Sequence, residues 1–266
     1  MTVTHHQPSG MTASVLVPLS GATQGTRTLA EECAVALVFN GSTEAVMMAS
    51  PTDLEDFGRG FALSEGIVEN RAQIEALEVL RQPRGIEVRL RIPDARAQAL
   101  IQRRRNAFGP VGCGLCGIDS LDQAMRPLAP LPVAQPLFSS AALVQTFDRL
   151  RAHQPLHDAT RATHAAACLA ADGTLRATRE DVGRHNALDK LIGAQEVAGH
   201  AALITSRVSV DLVQKCVTSG LVVLVSASAP TAEALRTASR NGLTLAQVRG
   251  EGLEVFCHPE RLIGEV

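Results

Sequence analysis

The stretch AALITSRVSVDLVQKCVTSGLVVLVSASAPTAEALRTASRNGLTLAQVR, residues 201–249, decides the fold class of this chain. Three apolar runs that fit short strands, 201–206, 221–228 and 243–249, alternate with two segments that fit helices, 209–220 and 230–242. Apolar strands that alternate with helices are typical of a mostly parallel sheet covered on both faces. We therefore expect an α/β domain here.

The same alternation extends outward to both ends of this stretch. Upstream, SSAALVQTFDRLRAH (139–153) predicts a capped helix, HAAACLA (164–170) and TLRAT (174–178) predict strands, and DVGRHNALDKLIG (181–193) predicts a helix. Downstream, LEVFCH (253–258) predicts a last strand. Before this region, residues 127–137 hold four prolines in eleven residues, which indicates a connector. We therefore place the main α/β domain at 138–266.

The region before the connector predicts a smaller α+β domain, residues 28–126. Two strand pairs, 33–40 with 44–50 and 74–80 with 85–92, each surround a turn signal, and the first turn is Asn40-Gly41. Helical spacing follows Pro51, and a second helix is expected over 93–106. The domain ends in the loop GPVGCGLCGIDS, 109–120. Residues 1–27 are polar and rich in Gly, Ser and Thr, and we predict a flexible tail.

The bulk composition limits the possible function classes. The net charge is −2, and the aromatic residues are seven Phe with no Tyr or Trp, which argues against a nucleic-acid-binding surface. No apolar run reaches the length of a membrane span, and the N-terminus does not resemble a signal peptide. The six cysteines are 33, 113, 116, 168, 216 and 257, and four stand singly in apolar runs. This usage predicts a reducing, cytoplasmic location.

Cys113 and Cys116 are the leading candidates for chemistry. A thiolate is the reactive form of cysteine, and positive charge or backbone N–H groups lower its pKa. The neighbouring glycines give the loop freedom and let amides approach the sulfurs. A zinc site would need two more ligands, and no second cysteine pair exists. A thioredoxin-like site would need the first cysteine at a helix start. A flexible loop with incidental thiols is the remaining alternative.

A second polar motif is REDVGRHNALDK, residues 179–190. Asp181 fits a helix cap, and His185 and Asp189 are separated by one helical turn, so they could form an imidazole–carboxylate pair. A solvated helix face explains the same residues equally well. Other small-residue loops follow strands at 205–215 and 226–235, where an α/β fold offers free amides to a phosphate. His164 begins a predicted strand at the same end of the sheet.

Together these segments resemble the formate dehydrogenase accessory sulfurtransferases, the FdhD family. The resemblance runs from about residue 28 to the C-terminus. Its carriers are LVFNGSTEAVMMASPTDLEDFGRGFALSEGIV (37–68), the Cys113–Cys116 loop, EDVGRHNALDK (180–190), SAPT (228–231) and HPERL (258–262). The resemblance implies a cytidine-deaminase-like, three-layer α/β/α main domain and a homodimer. The deaminase zinc motif is missing from this sequence, and no resident metal is expected.

The resemblance also implies a function. Members of the family take persulfide sulfur from a cysteine desulfurase and pass it to the molybdenum or tungsten bis-molybdopterin guanine dinucleotide cofactor. The cofactor then enters formate dehydrogenase. By the family pattern Cys113 would carry the persulfide, and Cys116 would assist, for example by resolving it through a disulfide. A loop resembling the cofactor-contacting segment of the family comprises Gln247, Val248, Arg249, Gly250, Glu251 and Gly252. GDP-like nucleotides would mimic the cofactor.

Three other functions stay open at this stage. The chain could be a non-catalytic chaperone that binds the cofactor, with cysteines that only contact metal or sulfur. It could be a redox switch that uses a Cys113–Cys116 disulfide. Zinc binding is a more distant alternative.

Overall fold

The computed structural model describes residues 11–16, 25–105, 127–132 and 137–264. The strands are β1 (Met11–Leu16), β2 (Gly25–Ala30), β3 (Cys33–Phe39), β4 (Ser42–Ala49), β5 (Ala76–Gln82), β6 (Gly85–Arg91), β7 (Phe138–Ser139), β8 (His164–Leu169), β9 (Leu175–Asp181), β10 (Ala201–Ile204), β11 (Val223–Ser226), β12 (Thr244–Arg249), β13 (Gly252–Cys257) and β14 (Leu262–Ile263). The α-helices are α1 (Leu54–Ser64), α2 (Asp94–Arg105), α3 (Ser140–Leu150), α4 (Pro155–Thr160), α5 (Arg184–Ala194), α6 (Val210–Thr218) and α7 (Ala232–Arg240). Short 3-10 turns occupy Arg71–Gln73, Arg151–His153 and Pro259–Arg261.

The stretch 201–249 folds as predicted, into β10, α6, β11, α7 and β12. These strands belong to a six-stranded sheet in the order β13-β12-β11-β10-β8-β9. Every residue of β10 and β11 is buried, so both faces of the sheet are covered. The side chain of Thr231 caps α7 by accepting a hydrogen bond from the Ala234 N–H at 3.2 Å. The α/β fold class is confirmed.

The expectation of a mostly parallel sheet needs correction, because the sheet is mixed. Among the described strands of this six-stranded sheet, only the β10–β11 and β11–β12 pairs are parallel. The other three pairs, β8–β9, β8–β10 and β12–β13, are antiparallel. Two hairpins cause this pattern: β8 returns directly into β9, and β12 turns at Gly250 into β13. Short connections of this kind force antiparallel pairing, whereas the helical crossovers through α6 and α7 allow parallel pairing.

A second, smaller sheet forms the N-terminal unit in the order β4-β3-β6-β5. The predicted hairpins are present, and the turn after β3 has positive φ at both Asn40 (44°) and Gly41 (82°), as a tight two-residue hairpin requires. Helix α1 packs against β5 and β6. Phe57, Val88 and their apolar neighbours build a core that is separate from the larger core around β10 and β11.

The predicted tail, residues 1–27, contains regular structure. Strand β1 lies inside it and pairs antiparallel with β2, with Leu16 opposite Gly25. The guanidinium of Arg27 donates to the carbonyl oxygen of Thr160 at 3.2 Å, and β2 packs against α4. The composition of this segment fits a loop, but pairing along six residues of backbone stabilises a hairpin on the main domain.

Helices α1 and α5 join the two units. They cross at Gly60 and Gly193, where a Cβ atom on either residue would overlap a carbonyl oxygen of the other helix, Asp189 or Asp56 respectively. Glycine is therefore required at both positions, because only a missing side chain allows the backbones to approach so closely. Among the described residues, no helix combines the length and apolarity needed to cross a membrane.

Candidate functional site

The polar residues of the sequence motifs gather at one edge of the large sheet. His164, the first residue of β8, lies opposite Asp181, the last residue of β9. Across the sheet, the ends of β10 and β11 pair at Ile204 and Ser226, and Ser226 lies opposite Gln247 on β12. The carboxyl ends of parallel strands are where ligands bind in open α/β sheets. This edge is therefore the candidate functional site.

The predicted cofactor loop forms the outer part of this edge. Gln247, Val248 and Arg249 end β12, Gly250 and Glu251 form the exposed turn, and Gly252 begins β13. Gly250 has a φ of 60°, which favours glycine. The amide of Gln247 donates to the carbonyl oxygen of Ala227 at 3.4 Å, which links this hairpin to the loop after β11.

Arg249 is the charged residue of the hairpin. Its side chain is 75% exposed, and its guanidinium lies 3.0 Å from the carboxylate of Glu254. An exposed pair of this kind contributes little to stability, so the guanidinium can leave Glu254 for an anion at small cost.

Beside His164 a fully buried ion pair holds the start of α5. Nζ of Lys190 lies 2.7 Å from Oδ2 of Asp181, and both side chains are completely buried. Oδ2 of Asp181 also accepts from the Ser50 N–H at 3.0 Å, and Nζ of Lys190 donates to the Ser50 carbonyl at 3.0 Å. The Asn186 amide donates to the carbonyl of Met48 at 2.8 Å. The chain segment after β4 is thus fixed to the turn before α5.

Asp181 does not cap α5 in the way the sequence suggests. The residue at the N-cap position is Gly183, and no side chain within the described ranges caps the helix. Instead, Oδ1 of Asp181 accepts from the Gly183 N–H at 2.8 Å and from the Asn186 amide at 3.0 Å. Asp181 therefore shapes the turn from inside the protein.

A second buried ion pair lies on the other side of α5. Nζ of Lys215 lies 2.9 Å from both carboxylate oxygens of Asp189 and 2.8 Å from the carboxylate of Glu65. The Ser64 hydroxyl donates to Asp189 at 2.6 Å. Burial alone lowers the pKa of Lys215, but the two carboxylates outweigh it and raise the pKa above its usual value. The lysine therefore stays charged inside the protein.

The predicted pair of His185 with Asp189 is wrong. Asp189 is occupied by Lys215, and the carboxylate nearest to His185 is Asp211 on α6, with Nε2 3.4 Å from Oδ2. The interaction with His185 is the largest cause that lowers the pKa of Asp211. Helical spacing placed His185 and Asp189 on neighbouring turns, but α1 and α6 supply the partners that separate them.

His164 lies in a positively charged environment. Burial lowers its pKa, and the positive charges of Arg184 and His157 lower it further. Asp181 opposes this shift, but its carboxylate is already paired with Lys190. At neutral pH His164 is therefore an uncharged imidazole.

The cysteines divide into two groups. The four in the described residues are free thiols, namely Cys33, Cys168, Cys216 and Cys257. Burial raises the pKa of each of them, that of Cys168 to about 11. They are poor nucleophiles, because the thiolate is the reactive form. The predicted reactive residues, Cys113 and Cys116, lie outside the described residues.

Sequence reasoning missed the contacts between the two units that position this site. Ser50, Ser64 and Glu65 come from the N-terminal unit, and nothing local connects them to α5 or α6. The one trace in the sequence is the scarcity of lysine, since the chain has only Lys190 and Lys215. The structure shows both of them buried, and a buried lysine needs a charged partner.

Fold and site together define an α/β protein with a polar sheet edge and a smaller α+β unit fixed to it. A sequence model of the FdhD/NarQ family matches residues 30–263. The chain is 48% identical over 245 residues to the sulfur carrier protein FdhD of Agrobacterium fabrum, covering 90% of each chain. It is 44% identical over 250 residues to the sulfur carrier protein FdhD of Bordetella petrii, covering 92% of this chain and 89% of the relative.

A solved structure agrees with these sequence matches. The crystal structure of a protein from Desulfotalea psychrophila, assigned as a formate dehydrogenase accessory protein, superposes with a TM-score of 0.71 at 26% identity. The match covers 95% of this chain and 98% of that one. The chain belongs to the FdhD/NarQ family.

Proposed function

We propose that this protein is a sulfur carrier in the maturation of formate dehydrogenase. It takes persulfide sulfur from a cysteine desulfurase onto Cys113. It then transfers that sulfur to the molybdenum bis-molybdopterin guanine dinucleotide cofactor, its substrate, before the cofactor enters the dehydrogenase. Relatives at 43–48% identity that carry the name sulfur carrier protein FdhD support the role of sulfur carrier.

The single observation that carries the choice of residue is the state of the other thiols. Burial raises the pKa of all four cysteines in the described residues, so none of them is suited to attack a persulfide at neutral pH. Cys113 and Cys116, in their glycine-rich segment, are the remaining two of the six. This supports a division into four structural thiols and two reactive ones.

The proposed transfer is a thiolate exchange. The Cys113 thiolate attacks the outer sulfur of the desulfurase persulfide, the S–S bond of the donor breaks, and the donor cysteine leaves as a thiolate. Cys113 then carries the extra sulfur as a persulfide. The Cys116 thiolate attacks the Cys113 sulfur, the bond to the outer sulfur breaks, and that sulfur leaves as hydrosulfide to the cofactor while a Cys113–Cys116 disulfide forms. A thiol reductant then reopens the disulfide and restores both thiols for the next cycle.

We further propose that the guanine dinucleotide part of the cofactor binds along the edge of the large sheet, with Gln247–Gly252 as one wall. The exposed turn at Gly250 and Glu251 offers main-chain groups, and Arg249 offers a positive charge that is held by an exposed ion pair with Glu254. GDP should bind at the same edge as a mimic of the nucleotide.

Intact-protein mass spectrometry tests the carrier role. The protein is incubated with a cysteine desulfurase, cysteine and pyridoxal phosphate, and then measured with and without reductant. We expect a gain of one sulfur that reductant removes and that Cys113→Ala abolishes. Cys257→Ala is the matched control and should gain sulfur like the wild type, because burial keeps that thiol protonated.

Two results would contradict the proposal. Sulfur gain that persists in Cys113→Ala would move the role to another residue. No gain on the wild-type protein, with an active desulfurase, would favour a chaperone that binds the cofactor without carrying sulfur.

A further inference from the structure

The turn between β3 and β4 is fixed by the side chain of Asn40 as well as by the backbone. The Asn40 N–H donates to the Leu90 carbonyl at 3.0 Å, which continues the parallel pairing of β3 with β6. Its side-chain amide then donates to the Ile92 carbonyl at 2.9 Å and accepts from the Ile92 N–H at 2.9 Å. We call these two side-chain hydrogen bonds the amide bridge. They replace the next backbone pair of the sheet, because an amide side chain has the same donor and acceptor as a peptide group.

The amide bridge holds the point at which the small sheet passes into α2. Ile92 is buried in the core of the small unit, between the end of β6 and Pro93. Helix α2 begins at Asp94, whose carboxylate stands 3.4 Å from the Asn40 amide nitrogen. An amide suits these partners, since it donates through its nitrogen and accepts through its oxygen. A carboxylate in its place would have no hydrogen to donate and would face a carbonyl oxygen and a second carboxylate.

Asn40 is also followed by glycine, and an Asn-Gly pair can modify itself. The glycine backbone nitrogen can attack the side-chain carbonyl carbon of the asparagine, because glycine has no side chain to obstruct the approach. A new C–N bond closes a succinimide ring, the bond from that carbon to the amide nitrogen breaks, and ammonia leaves with the proton of the attacking nitrogen. Water then opens the ring to aspartate or isoaspartate. Gly41 is exposed, and within the described ranges no atom lies within 4 Å of the place that a Cβ would take.

The amide bridge opposes this reaction in the folded protein. Ring closure makes the planar side-chain carbon tetrahedral and expels the amide nitrogen, so both hydrogen bonds to Ile92 are lost on the way. The loss of two hydrogen bonds slows a reaction by roughly 10-fold or more. The turn itself adds resistance, because its two residues are held at positive φ by the pairing of β3 with β4.

From these contacts we propose that Asn40–Gly41 is a self-modification site that the amide bridge controls. The asparagine converts to aspartate or isoaspartate only when the bridge opens, and neither product can close it again at neutral pH, because the donor is gone. Isoaspartate also lengthens the backbone of the tight turn by one carbon. The conversion is therefore a one-way change that releases the start of α2, the helix after which the chain continues to Cys113. It does not depend on the sulfur-carrier role.

A second Asn-Gly pair provides a matched control in the same chain. Asn241 and Gly242 follow α7, and both are half-buried. The Asn241 amide donates to the Thr237 carbonyl at 2.8 Å, and the Asn241 carbonyl accepts from the Leu131 N–H at 2.9 Å. The Gly242 carbonyl accepts from the buried guanidinium of Arg261. Three separate segments of the main domain hold this turn, so it should open less often than the exposed turn after β3.

Timed incubation of the full-length protein at mildly alkaline pH, followed by peptide mass spectrometry, tests the proposal. The replacement of an amide by a carboxyl group changes the peptide mass measurably, and chromatography separates the two products. In urea-unfolded protein we expect Asn40 and Asn241 to convert at similar rates, because both precede glycine. In folded protein Asn40 should convert roughly 10-fold or more slowly than in urea, since the amide bridge must break first. Asn241 should convert more slowly still.

Two results of this incubation would overturn the proposal. Equal rates for Asn40 in folded and unfolded protein would mean that the amide bridge controls nothing. A rate for Asn40 in folded protein no higher than that of Asn241 would mean that the exposed turn is not a preferred site.

The variant Asn40→Asp reproduces one product and tests whether the amide bridge is lost. At neutral pH it should unfold at a lower urea concentration than the wild type, because its carboxylate cannot donate to Ile92. The difference from the wild type should shrink as pH falls, since a protonated carboxyl group donates through its O–H and accepts through its carbonyl oxygen.

Asn70→Asp is the matched control for this variant. The Asn70 side-chain oxygen accepts from the Ala72 N–H at 3.1 Å, and a carboxylate keeps that hydrogen bond. Asn70→Asp should therefore unfold at the urea concentration of the wild type. The same result for Asn40→Asp at neutral pH would overturn the proposal, because the product could then hold Ile92 as well as the amide does.

Discussion

At the scale of single residues, the sheet edge is defined by which charges are paired. Lys190 and Lys215 are fully engaged with carboxylates, whereas Arg184 has no counter-ion within the described part of the chain. This charge distribution lowers the pKa of His164, because burial and the neighbouring cations both disfavour the charged form of its imidazole. Protonation of His164 is therefore coupled to the stability of the folded protein.

The first prediction follows from this coupling. The pKa of His164 is lower in the folded protein than its usual 6.5, so the unfolded chain binds the proton more readily. The free energy of unfolding should therefore decrease as pH falls from the unfolded pKa through the folded one, below about pH 6.5. Urea unfolding at a series of pH values measures this slope, and His164→Gln should flatten it.

The carboxylate of Asp211 affects stability in a separate, lower pH range. The pKa of Asp211 is lowered from 3.8, mainly by His185, so its contribution is lost only as pH falls below about 3.8. Loss of stability in that range should persist in His164→Gln. An identical slope near pH 6 in wild type and His164→Gln would show that His164 does not titrate as inferred.

At the scale of elements, the crossing of α1 and α5 determines where the site stands. Gly60 and Gly193 let the two helices meet with backbone against backbone. The contact places Ser64 and Glu65, at the end of α1, within reach of Lys215 and Asp189. The position of α5, and of Arg184 and His185 on its first turn, thus depends on a glycine in another unit.

The second prediction concerns Gly60→Ala. Alanine favours a helix over glycine by about 1 kcal/mol, so an open helix would gain stability. Here the added Cβ would overlap the Asp189 carbonyl, and we expect a net loss of about 1–3 kcal/mol of unfolding free energy. Gly252→Ala is the control, because its Cβ would approach only the Arg249 carbonyl oxygen, at an ordinary contact distance of 4.0 Å, and its unfolding free energy should change little. Stabilisation by Gly60→Ala in urea unfolding would contradict the crossing geometry.

Local sequence signals predicted the elements well, and tertiary partners poorly. The alternation at 201–249, the Asn40-Gly41 turn and the cap of α3 depend on neighbouring residues, and the structure has all of them. The partner of His185 and the mixed direction of the sheet depend on which distant segments meet. Spacing along α5 shows that His185 and Asp189 lie one turn apart, but it cannot show that Lys215 reaches Asp189 first.

The buried lysines show most clearly that the sequence alone does not predict contacts between the two units. Their scarcity is visible in the sequence, but it equally fits a genome that encodes arginine in preference to lysine. Arginine is always charged and branched, whereas the lysine ammonium is compact enough to fit between a carboxylate and a backbone carbonyl. That fit, of Lys190 between Asp181 and Ser50, exists only after the two units have docked.

At the scale of the whole molecule, two apolar cores are joined by a polar interface. One core surrounds β10 and β11, and the other lies between α1 and the small sheet. The interface between them contains two buried ion pairs, and Leu63 of α1 packs against both cores. Ion pairs of this kind specify one geometry more than they add stability, because desolvation offsets much of their attraction.

The last prediction is that these lysines make the two cores unfold together. Wild-type protein should show one transition in scanning calorimetry, with equal calorimetric and van 't Hoff enthalpies. Lys215→Met leaves the Asp189 carboxylate buried without its partner, which should cost about 3–5 kcal/mol. Adding Lys190→Met should separate the transition into two. Arg89→Met, which removes an exposed pair with Glu87 inside the small sheet, is the control and should cost less than about 1 kcal/mol. One unchanged transition in the double lysine variant would mean that the glycine crossing alone couples the cores.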